Sequence, residues 1–200
     1  MNTDKRTLKM RFANFIYEFL KHPSETGTFT QSSRYLARAI AHQIDGNSNV
    51  TEFGAGMGAV TTEILKRLPA NGQLTCFEVN SYFCRHLLRI NDPRLKVIND
   101  DAENCEKHVR NLDCIVSGLP LTLFNKSKRE KILAISSKSG RFIQLQYSPA
   151  LKGDVENQFP DVEIKFIPLN FPPAFVYICA NPDKIKNKGC KPSRTFSVGK

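Results

Sequence analysis

The sequence lacks the features that mark membrane-spanning and secreted proteins. No stretch among the 200 residues approaches the roughly 20 apolar residues that a transmembrane helix requires, which excludes a protein held by such helices. The amino-terminal stretch MNTDKRTLKMRF is basic, but it has no continuous apolar core and no small-residue cleavage site, so a secretory signal is not expected. Length and composition therefore predict one soluble domain in the cytoplasm.

The six cysteines lack a CxxC motif and any paired spacing with histidine. Most lie in apolar segments, where a reduced cysteine acts as a small hydrophobic side chain. This pattern favours reduced core cysteines over a metal site or a disulfide framework, so no metal is expected. The cysteines are Cys76, Cys84, Cys105, Cys114, Cys179 and Cys190.

Acidic residues are few, and the excess of positive charge lies at the two ends of the chain. There are 19 Asp and Glu against 29 Lys and Arg, which gives a net charge of +10. Five basic and two acidic residues give +3 to residues 1–22, six basic and one acidic residue give +5 to residues 183–200, and +2 remains for residues 23–182. Such ends favour an anionic surface, either nucleic acid phosphates or membrane headgroups.

No internal repeat is visible, and from residue 50 onward short apolar runs alternate with amphipathic segments. This alternation predicts βαβ units and a mainly parallel sheet. Two later runs, 162–169 and 174–180, are separated only by NFPP, which is too short for a helix and predicts an antiparallel hairpin. The five earlier predicted strands are 49–53, 74–79, 95–99, 113–117 and 141–147.

Residues 1–48 precede the sheet and have a helical pattern. A first helix has an apolar face with basic residues at its rim, which suits either a membrane interface or packing on the sheet. A second helix is predicted to begin near Ser32 or Ser33 and to end at Gly46. We expect residues 49–180 to form the main domain and 181–200 to be a flexible basic tail. The residues expected to contact a membrane are Phe12, Phe15, Ile16 and Phe19.

A glycine-rich segment, TEFGAGMGAVTTEIL, connects the first predicted strand to a helix. Gly54, Gly56 and Gly58 permit backbone angles closed to other residues and allow a ligand to approach the main chain. The spacing is GxGxG rather than the GxGxxG of dinucleotide-binding folds. NAD therefore stays open as an alternative to a single nucleoside.

Three acidic residues lie near this loop or at neighbouring strand ends. Glu78 at the end of the second strand is placed to accept hydrogen bonds from ribose hydroxyls, and Asp101 after the third is placed to meet an exocyclic amine. Glu52, two residues before the first glycine, is placed to neutralise an ammonium group. These positions predict an adenosine at the carboxyl edge of the sheet.

The segments EFGAGMGAVTTEIL, FEVN, NDDAE and IVSGLP resemble the successive motifs of class I S-adenosylmethionine-dependent methyltransferases. More narrowly, GTFTQSSRYLARAIA, IVSGLPLTLF, FIQLQYSP and NFPPAFVYI resemble the soluble bacterial phospholipid N-methyltransferases, which methylate phosphatidylethanolamine, over about residues 8–180. The resemblance implies a Rossmann-like α/β fold with a seven-stranded, mainly parallel sheet, helices on both faces and a helical extension before it.

The same resemblance implies S-adenosylmethionine as the methyl donor and a membrane phospholipid amine as the acceptor. The enzyme would then associate peripherally with the anionic inner face of the membrane. Two departures, Thr30–Gln31 and Ser148 after Tyr147, leave the headgroup open. Cofactor contacts are implied for Glu52, Gly54, Gly56, Gly58, Glu78, Val79, Asp101, Ala102 and Ser117.

The segment DCIVSGLPLTLF, residues 113–124, is expected to border the acceptor pocket. Methyltransferases that act on planar bases usually present Asn or Asp, two prolines and an aromatic residue here, whereas this chain has Ser117 and Leu121. Leucine offers no ring for stacking a base, but it suits an aliphatic lipid amine. The leucines line either a path for acyl chains or the core. Gly118, Leu119 and Pro120 are expected to bind the acceptor.

Tyr147 is the candidate catalytic residue, because its hydroxyl ends the fifth strand and is placed to meet the ammonium or the lipid phosphate. It is also expected to contact the substrate. The base that deprotonates the amine is left open among His22, His42 and solvent.

Two other functions remain open at this point. One is N6-methylation of adenine in RNA, since the resemblance extends more distantly to rRNA adenine dimethylases and the chain is basic. The altered SGLPL segment and the lack of length for a further helical domain count against it. The other is a non-catalytic membrane-binding protein with a nucleoside fold. The sequence does not fix the oligomeric state.

Overall fold

The computed structural model describes residues 32–44, 46–168, 170 and 172–186. The predicted first helix, with Phe12, Phe15, Ile16 and Phe19, lies outside the described residues. The tail beyond residue 186 also lies outside them.

One seven-stranded sheet organises the chain, in the order β3-β2-β1-β4-β5-β7-β6. β1 to β5 are parallel, and β7 runs antiparallel to both β5 and β6. This confirms the predicted parallel sheet with a carboxy-terminal hairpin. The strands are β1 (Asn49–Phe53), β2 (Gln73–Phe77), β3 (Leu95–Ile98), β4 (Cys114–Ser117), β5 (Arg141–Gln146), β6 (Asp161–Ile167) and β7 (Ala174–Ala180).

Helices lie on both faces of this sheet. They are α1 (Ser32–Ala41), α2 (Ala59–Leu65), α3 (Ser81–Leu87), α4 (Cys105–His108), α5 (Lys126–Ser136), α6 (Lys152–Glu156) and α7 (Pro182–Lys186). Short 3₁₀ turns cover His42–Ile44, Leu88–Ile90, Ala102–Asn104, Leu121–Leu123 and Pro149–Leu151. Asparagines accept backbone hydrogen bonds at two helix starts, Asn80 for α3 and Asn125 for α5.

The core divides into two clusters because successive side chains of a strand point to opposite faces of the sheet. The first core cluster contains Val50, Leu74 and Val116 beneath α1, α2 and α3. The second contains Phe53, Phe77, Ile115, Phe142 and Tyr177 beneath α4, α5 and α6. β4 is buried along its whole length, as expected for a central parallel strand.

α1 belongs to the same core as the sheet. Its Leu36 and Ile40 are buried in the first core cluster, as the sequence pattern predicted. The Arg141 side chain donates to the Gln43 carbonyl at 2.8 Å, which ties the end of this segment to β5. The turn after it ends at Gly46, whose φ is 74°.

The first residues of the predicted flexible tail are tied to the domain. The Asn181 backbone N–H donates to the Gly140 carbonyl at 3.0 Å, and α7 follows directly. Among the described residues, no helix combines the length and apolarity needed to cross a bilayer. The five described cysteines are buried and unpaired, which confirms their prediction as core side chains.

Candidate active site

The loops that follow β1 to β5 meet at one edge of the sheet, since parallel strands end at the same side. The strand order reverses between β1 and β4, and ligands of open α/β sheets bind at such a switch point. We call this region the carboxyl-edge site; it comprises residues 54–58, 78–80, 99–102, 117–121 and 147–148.

The glycine loop, residues 54–58, packs tightly on one side and is open on the other. Gly54 has φ 71°, and a Cβ there would approach Leu119 Cδ2 to 2.8 Å. Gly56 has φ 54°, but a Cβ there would meet nothing within 4 Å. Gly58 precedes α2 and packs against Leu87. The glycine loop therefore packs at Gly54 against the loop that follows β4, residues 118–124, which we call the β4 loop. The space beside Gly56 is open to a ligand, and we call it the cradle.

The Glu78 carboxylate links the glycine loop to the segment that follows β2. Its Oε2 accepts the Gly56 backbone N–H at 2.9 Å, and its Oε1 accepts the Asn80 N–H at 2.8 Å. A carboxylate has about four acceptor positions, so two remain for hydroxyl donors. The sequence predicted a ribose acceptor here; the structure adds that the same side chain positions the loop.

Val79 presents an apolar surface next to that carboxylate. Its side chain is 66% exposed, which is unusual for valine and leaves a flat apolar contact available at the site. Asn99 fixes the segment by donating from Nδ2 to the Glu78 and Val79 carbonyls at 2.8 and 3.0 Å. Ala102, also predicted to contact the cofactor, has its side chain buried in the second core cluster.

Asp101 is engaged by the protein itself. Its Oδ1 accepts the Glu103 N–H at 3.0 Å, and its Oδ2 lies 2.5 Å from Lys128 Nζ. Burial opposes the charge on Lys128, but its contacts with Asp101 and Glu103 raise its pKa. Lys128 also lies 5.1 Å above the Phe124 ring, so it links the β3 loop to the β4 loop.

Glu52, expected from the sequence to neutralise an ammonium group of a ligand, lies in the interior just before the glycine loop. It is only 2% exposed and accepts hydrogen bonds from Thr61 Oγ1 at 2.7 Å and Cys76 Sγ at 3.2 Å. Burial raises the pKa of Glu52 to about 7. Its side chain therefore lies beneath α2, held between Thr61 of that helix and Cys76 of β2.

The β4 loop is held from beneath by two glutamines. Gln144 and Gln146 both donate from Nε2 to the Leu119 carbonyl, at 2.9 and 3.0 Å. The buried Ser117 hydroxyl accepts the Leu119 N–H at 3.3 Å, and the Gly118 N–H donates to the Phe53 carbonyl at 2.9 Å. Gly118, Leu119 and Pro120 are each half-buried, which leaves them accessible to an acceptor.

The apolar residues after Ser117 divide between core and surface. Leu121 is 0% exposed and packs in the second core cluster, so it belongs to the core and not to a path for acyl chains. Leu123 is partly exposed, and Leu119 and Phe124 pack on the rim of the same cluster. The β4 loop therefore presents aliphatic groups and no stacking ring at position 121.

Tyr147 connects β5 to the loop before β7. Its pKa is raised to about 12 by burial, and a hydrogen bond with Asn170 opposes that shift. The hydroxyl is therefore neutral at physiological pH.

Ser148, which replaces a glycine common in the resembling family, has φ −152°, an extended conformation that requires no glycine. The Tyr177 hydroxyl donates to its carbonyl at 3.3 Å.

The sequence reasoning missed several residues that shape the site. Gln144 and Gln146 carried a usable signal, because two polar residues at period 2 inside a buried strand must face hydrogen-bonding partners. No signal in the sequence pointed to Lys128, because its pairing with Asp101 depends on how α5 packs. His42, a candidate base, contacts Arg67 beyond the end of α2, far from the glycine loop at its start.

The donors and acceptors present fit a nucleoside cofactor. The open cradle at Gly56 admits close approach, Glu78 keeps acceptor capacity for a ribose diol, and Val79 offers an apolar face for a base. Within the described ranges, no group of three or more His, Cys, Asp or Glu residues is arranged to hold a metal ion.

Known proteins share sequence similarity with this chain. The family model of ribosomal RNA adenine dimethylase matches residues 19–135, more than half of the chain. The chain is also 28% identical, over 183 residues, to the ornithine lipid N-methyltransferase of Singulisphaera acidiphila; the match covers 84% of this chain and 95% of that protein.

Solved structures with the same fold include several methyltransferases. An rRNA methylase from Streptococcus thermophilus aligns with a TM-score of 0.54 at 21% identity, over 76% of this chain and 98% of that one. The 1,6-didemethyltoxoflavin-N1-methyltransferase of Burkholderia thailandensis, with S-adenosylhomocysteine bound, aligns with a TM-score of 0.63 at 14% identity, over 90% and 91%. At these identities the comparison shows that the fold is shared and nothing beyond the fold.

Proposed function

The chain belongs to the ribosomal RNA adenine dimethylase family and is an S-adenosylmethionine-dependent methyltransferase, and on this premise we propose that it methylates the aliphatic amine of a membrane phospholipid such as phosphatidylethanolamine. Family membership also removes the non-catalytic alternative left open by the sequence. The family fixes the reaction class but not the acceptor, which has to be argued from the site.

S-adenosylmethionine, when bound, supplies an electrophilic methyl group on a sulfonium. Glu78 would hold the ribose hydroxyls, Val79 would cover a face of the adenine, and the backbone at Gly56 would allow the chain of the cofactor to lie close. Asp101 would accept from the adenine amine with the acceptor capacity that Glu103 and Lys128 leave free. Ser117 would lie beside the cofactor at the end of β4.

The observation that carries the proposed acceptor is the burial of Leu121. A planar base gains affinity by stacking on an aromatic ring, and the position that would offer the ring is a fully buried leucine. The accessible part of the loop is Gly118, Leu119 and Pro120. These groups suit an aliphatic amine with hydrocarbon nearby better than a flat heterocycle.

The lipid class is further supported by the Singulisphaera acidiphila relative, whose name specifies N-methylation of a lipid. Its lipid is not phosphatidylethanolamine, so the proposal concerns an aliphatic amine headgroup, with phosphatidylethanolamine as the first substrate to test. Both lipids present an amine that must be deprotonated before it attacks the methyl group.

Tyr147 would act as a neutral hydroxyl. Because burial raises the pKa of Tyr147 to about 12, it is a hydrogen-bond partner for the amine or for the lipid phosphate and not a base at physiological pH. The proton would then pass to solvent or to His22, which lies outside the described residues, since His42 is remote from the glycine loop.

N6-methylation of adenine in RNA is the second candidate, because the family model is named for that reaction and the chain carries a net charge of +10. It predicts a different product from the same methyl donor. Offering both acceptors in one assay distinguishes them.

The test is methyl transfer by the full chain from isotopically labelled S-adenosylmethionine to phosphatidylethanolamine vesicles, ornithine lipid vesicles and ribosomal RNA, with products identified by mass spectrometry. We expect label on a lipid amine. Label in RNA alone would overturn the proposal.

We expect Tyr147→Phe to lower kcat about tenfold, from loss of one hydrogen bond, with unchanged S-adenosylhomocysteine affinity. The matched control Tyr35→Phe removes a hydroxyl from an exposed tyrosine on α1 and should leave kcat unchanged.

A bilayer substrate also requires access to the interface. We propose that the basic amphipathic segment around residues 5–21 supplies it, with Phe12, Phe15, Ile16 and Phe19 entering the headgroup region. Lysine and arginine near an anionic leaflet each contribute about 1 kcal/mol of attraction, so this association would weaken with salt.

A further inference from the structure

A polar cavity of about 200 Å³ lies near the opposite end of the sheet from the carboxyl-edge site. Its walls come from the first residues of β1 and β2, from β3, and from the segment between α4 and β4. Thr51 lies three residues before Gly54, which places the cavity roughly 10 Å along the strand from the glycine loop. The two sites therefore do not share residues.

The floor of the cavity is a row of polar side chains across three strands. Thr51 pairs in register with Thr75, and Thr75 pairs with Lys96, so the three lie side by side on one face. Thr51 and Thr75 are only 3% and 5% exposed, and both line the cavity, so the little surface they leave accessible faces it. A threonine hydroxyl can donate one hydrogen bond, so a pair of them on the cavity wall offers two donors to an anionic ligand.

Two basic side chains line the cavity, and two carboxylates contact its lining residues from outside it: Asp113 accepts from Asn49 Nδ2 at 2.8 Å, and Asp100 pairs with His108. Lys96 and Arg110 line the cavity, and neither forms an ion pair with a described residue. His108, also in the lining, is paired with Asp100 at 2.8 Å. None of the described residues that line the cavity is acidic.

We propose that this cavity binds a phosphate group. The two hydroxyls would donate to phosphate oxygens from below, while Lys96 and Arg110 would neutralise the charge from the rim. Pockets for drug-sized ligands usually run from roughly 300 to 1,000 Å³, so a cavity of about 200 Å³ suits a smaller group such as phosphate. The site is independent of the identity of the methyl acceptor.

The test is calorimetric titration of inorganic phosphate into the full chain, at fixed ionic strength and with S-adenosylhomocysteine present to fill the carboxyl-edge site. We expect Thr75→Val to weaken phosphate binding about tenfold, because it removes a hydrogen bond to a charged ligand without changing the side-chain shape. Lys96→Gln and Arg110→Gln should each weaken it roughly fivefold.

Lys107→Gln is the matched control, because Lys107 is an exposed residue of α4 that does not line the cavity. It should bind phosphate as the wild type does. An equal loss in Lys107→Gln and Lys96→Gln, an unchanged affinity in Thr75→Val, or no binding to the wild type would each overturn the proposal. Titration with glycerol 3-phosphate separates the sources: tighter binding than inorganic phosphate identifies a lipid headgroup, and equal or weaker binding identifies free phosphate.

Discussion

At the scale of single residues, three carboxylates at comparable sequence positions have three different environments. Glu52 is buried beneath α2, Glu78 bridges the glycine loop, and Asp101 is paired with Lys128. The sequence identifies an acidic residue near a strand end, because strand periodicity locates the end. It does not identify the partner, because the partner comes from a distant segment such as α5.

Glu52 gives a pH-dependent prediction. The folded chain raises the pKa of Glu52 from 4.5 to about 7, so between those pH values the folded state binds more protons than the unfolded state. The free energy of unfolding must therefore fall as pH rises through this window. At about 1.4 kcal/mol for each pKa unit, the total change is about 3 kcal/mol.

Replacement of Glu52 by Gln should remove this dependence. The amide keeps an acceptor for Thr61 and Cys76 but carries no charge. We expect the stability of Glu52→Gln, relative to wild type, to increase by about 3 kcal/mol between pH 5 and pH 8. Urea unfolding of both proteins at the two pH values measures this, and other titrating groups cancel in the difference. A relative stability that stays constant with pH would show that Glu52 does not titrate in this window.

At the scale of elements, the seven strands, the mainly parallel sheet and its carboxy-terminal hairpin followed from the sequence, because alternating hydrophobic patterns and short connections restrict the possible sheets. The contacts between loops could not be predicted from the sequence. Gln144 and Gln146 fix the β4 loop through a carbonyl, and Leu121 turns into the core. Such contacts depend on packing across the sheet, which a local pattern does not encode.

The glycine loop allows a matched pair of substitutions. Gly54→Ala and Gly56→Ala both place a side chain at positive φ, which costs about 1–2 kcal/mol. Only Gly54→Ala also pushes against Leu119, which adds about 1–3 kcal/mol of overpacking. Only Gly56→Ala puts a methyl group into the open cradle. We therefore expect Gly54→Ala to be the less stable variant and Gly56→Ala to bind S-adenosylhomocysteine about tenfold more weakly than wild type.

Thermal unfolding and calorimetric titration measure the two effects separately. If Gly56→Ala binds S-adenosylhomocysteine with wild-type affinity, the cradle at this residue is not the cofactor site. If Gly54→Ala is as stable as Gly56→Ala, the contact between the glycine loop and Leu119 is not tight in solution.

At the scale of the whole molecule, most of the positive charge is carried by the two ends of the sequence. Residues 23–182 carry only +2 of the net +10, so the ends of the chain dominate attraction to an anionic surface. An amino-terminal end that combines this charge with three phenylalanines has two possible roles. It either enters a membrane interface or packs onto the domain, and the two roles differ in their effect on stability.

Replacement of both Phe15 and Phe19 by serine separates these roles. If the phenylalanines enter the interface, the variant should lose sedimentation with anionic vesicles while it keeps wild-type unfolding temperature and S-adenosylhomocysteine affinity, because nothing in the domain depends on them. If they pack on the domain, each truncation should cost about 3–5 kcal/mol and lower the unfolding temperature. We expect the first result, with wild-type sedimentation that decreases as salt is added, because the basic rim contributes through screened charge. Equal sedimentation of variant and wild type would show that this segment does not carry the protein to its substrate, and the lipid would then have to be reached through another surface.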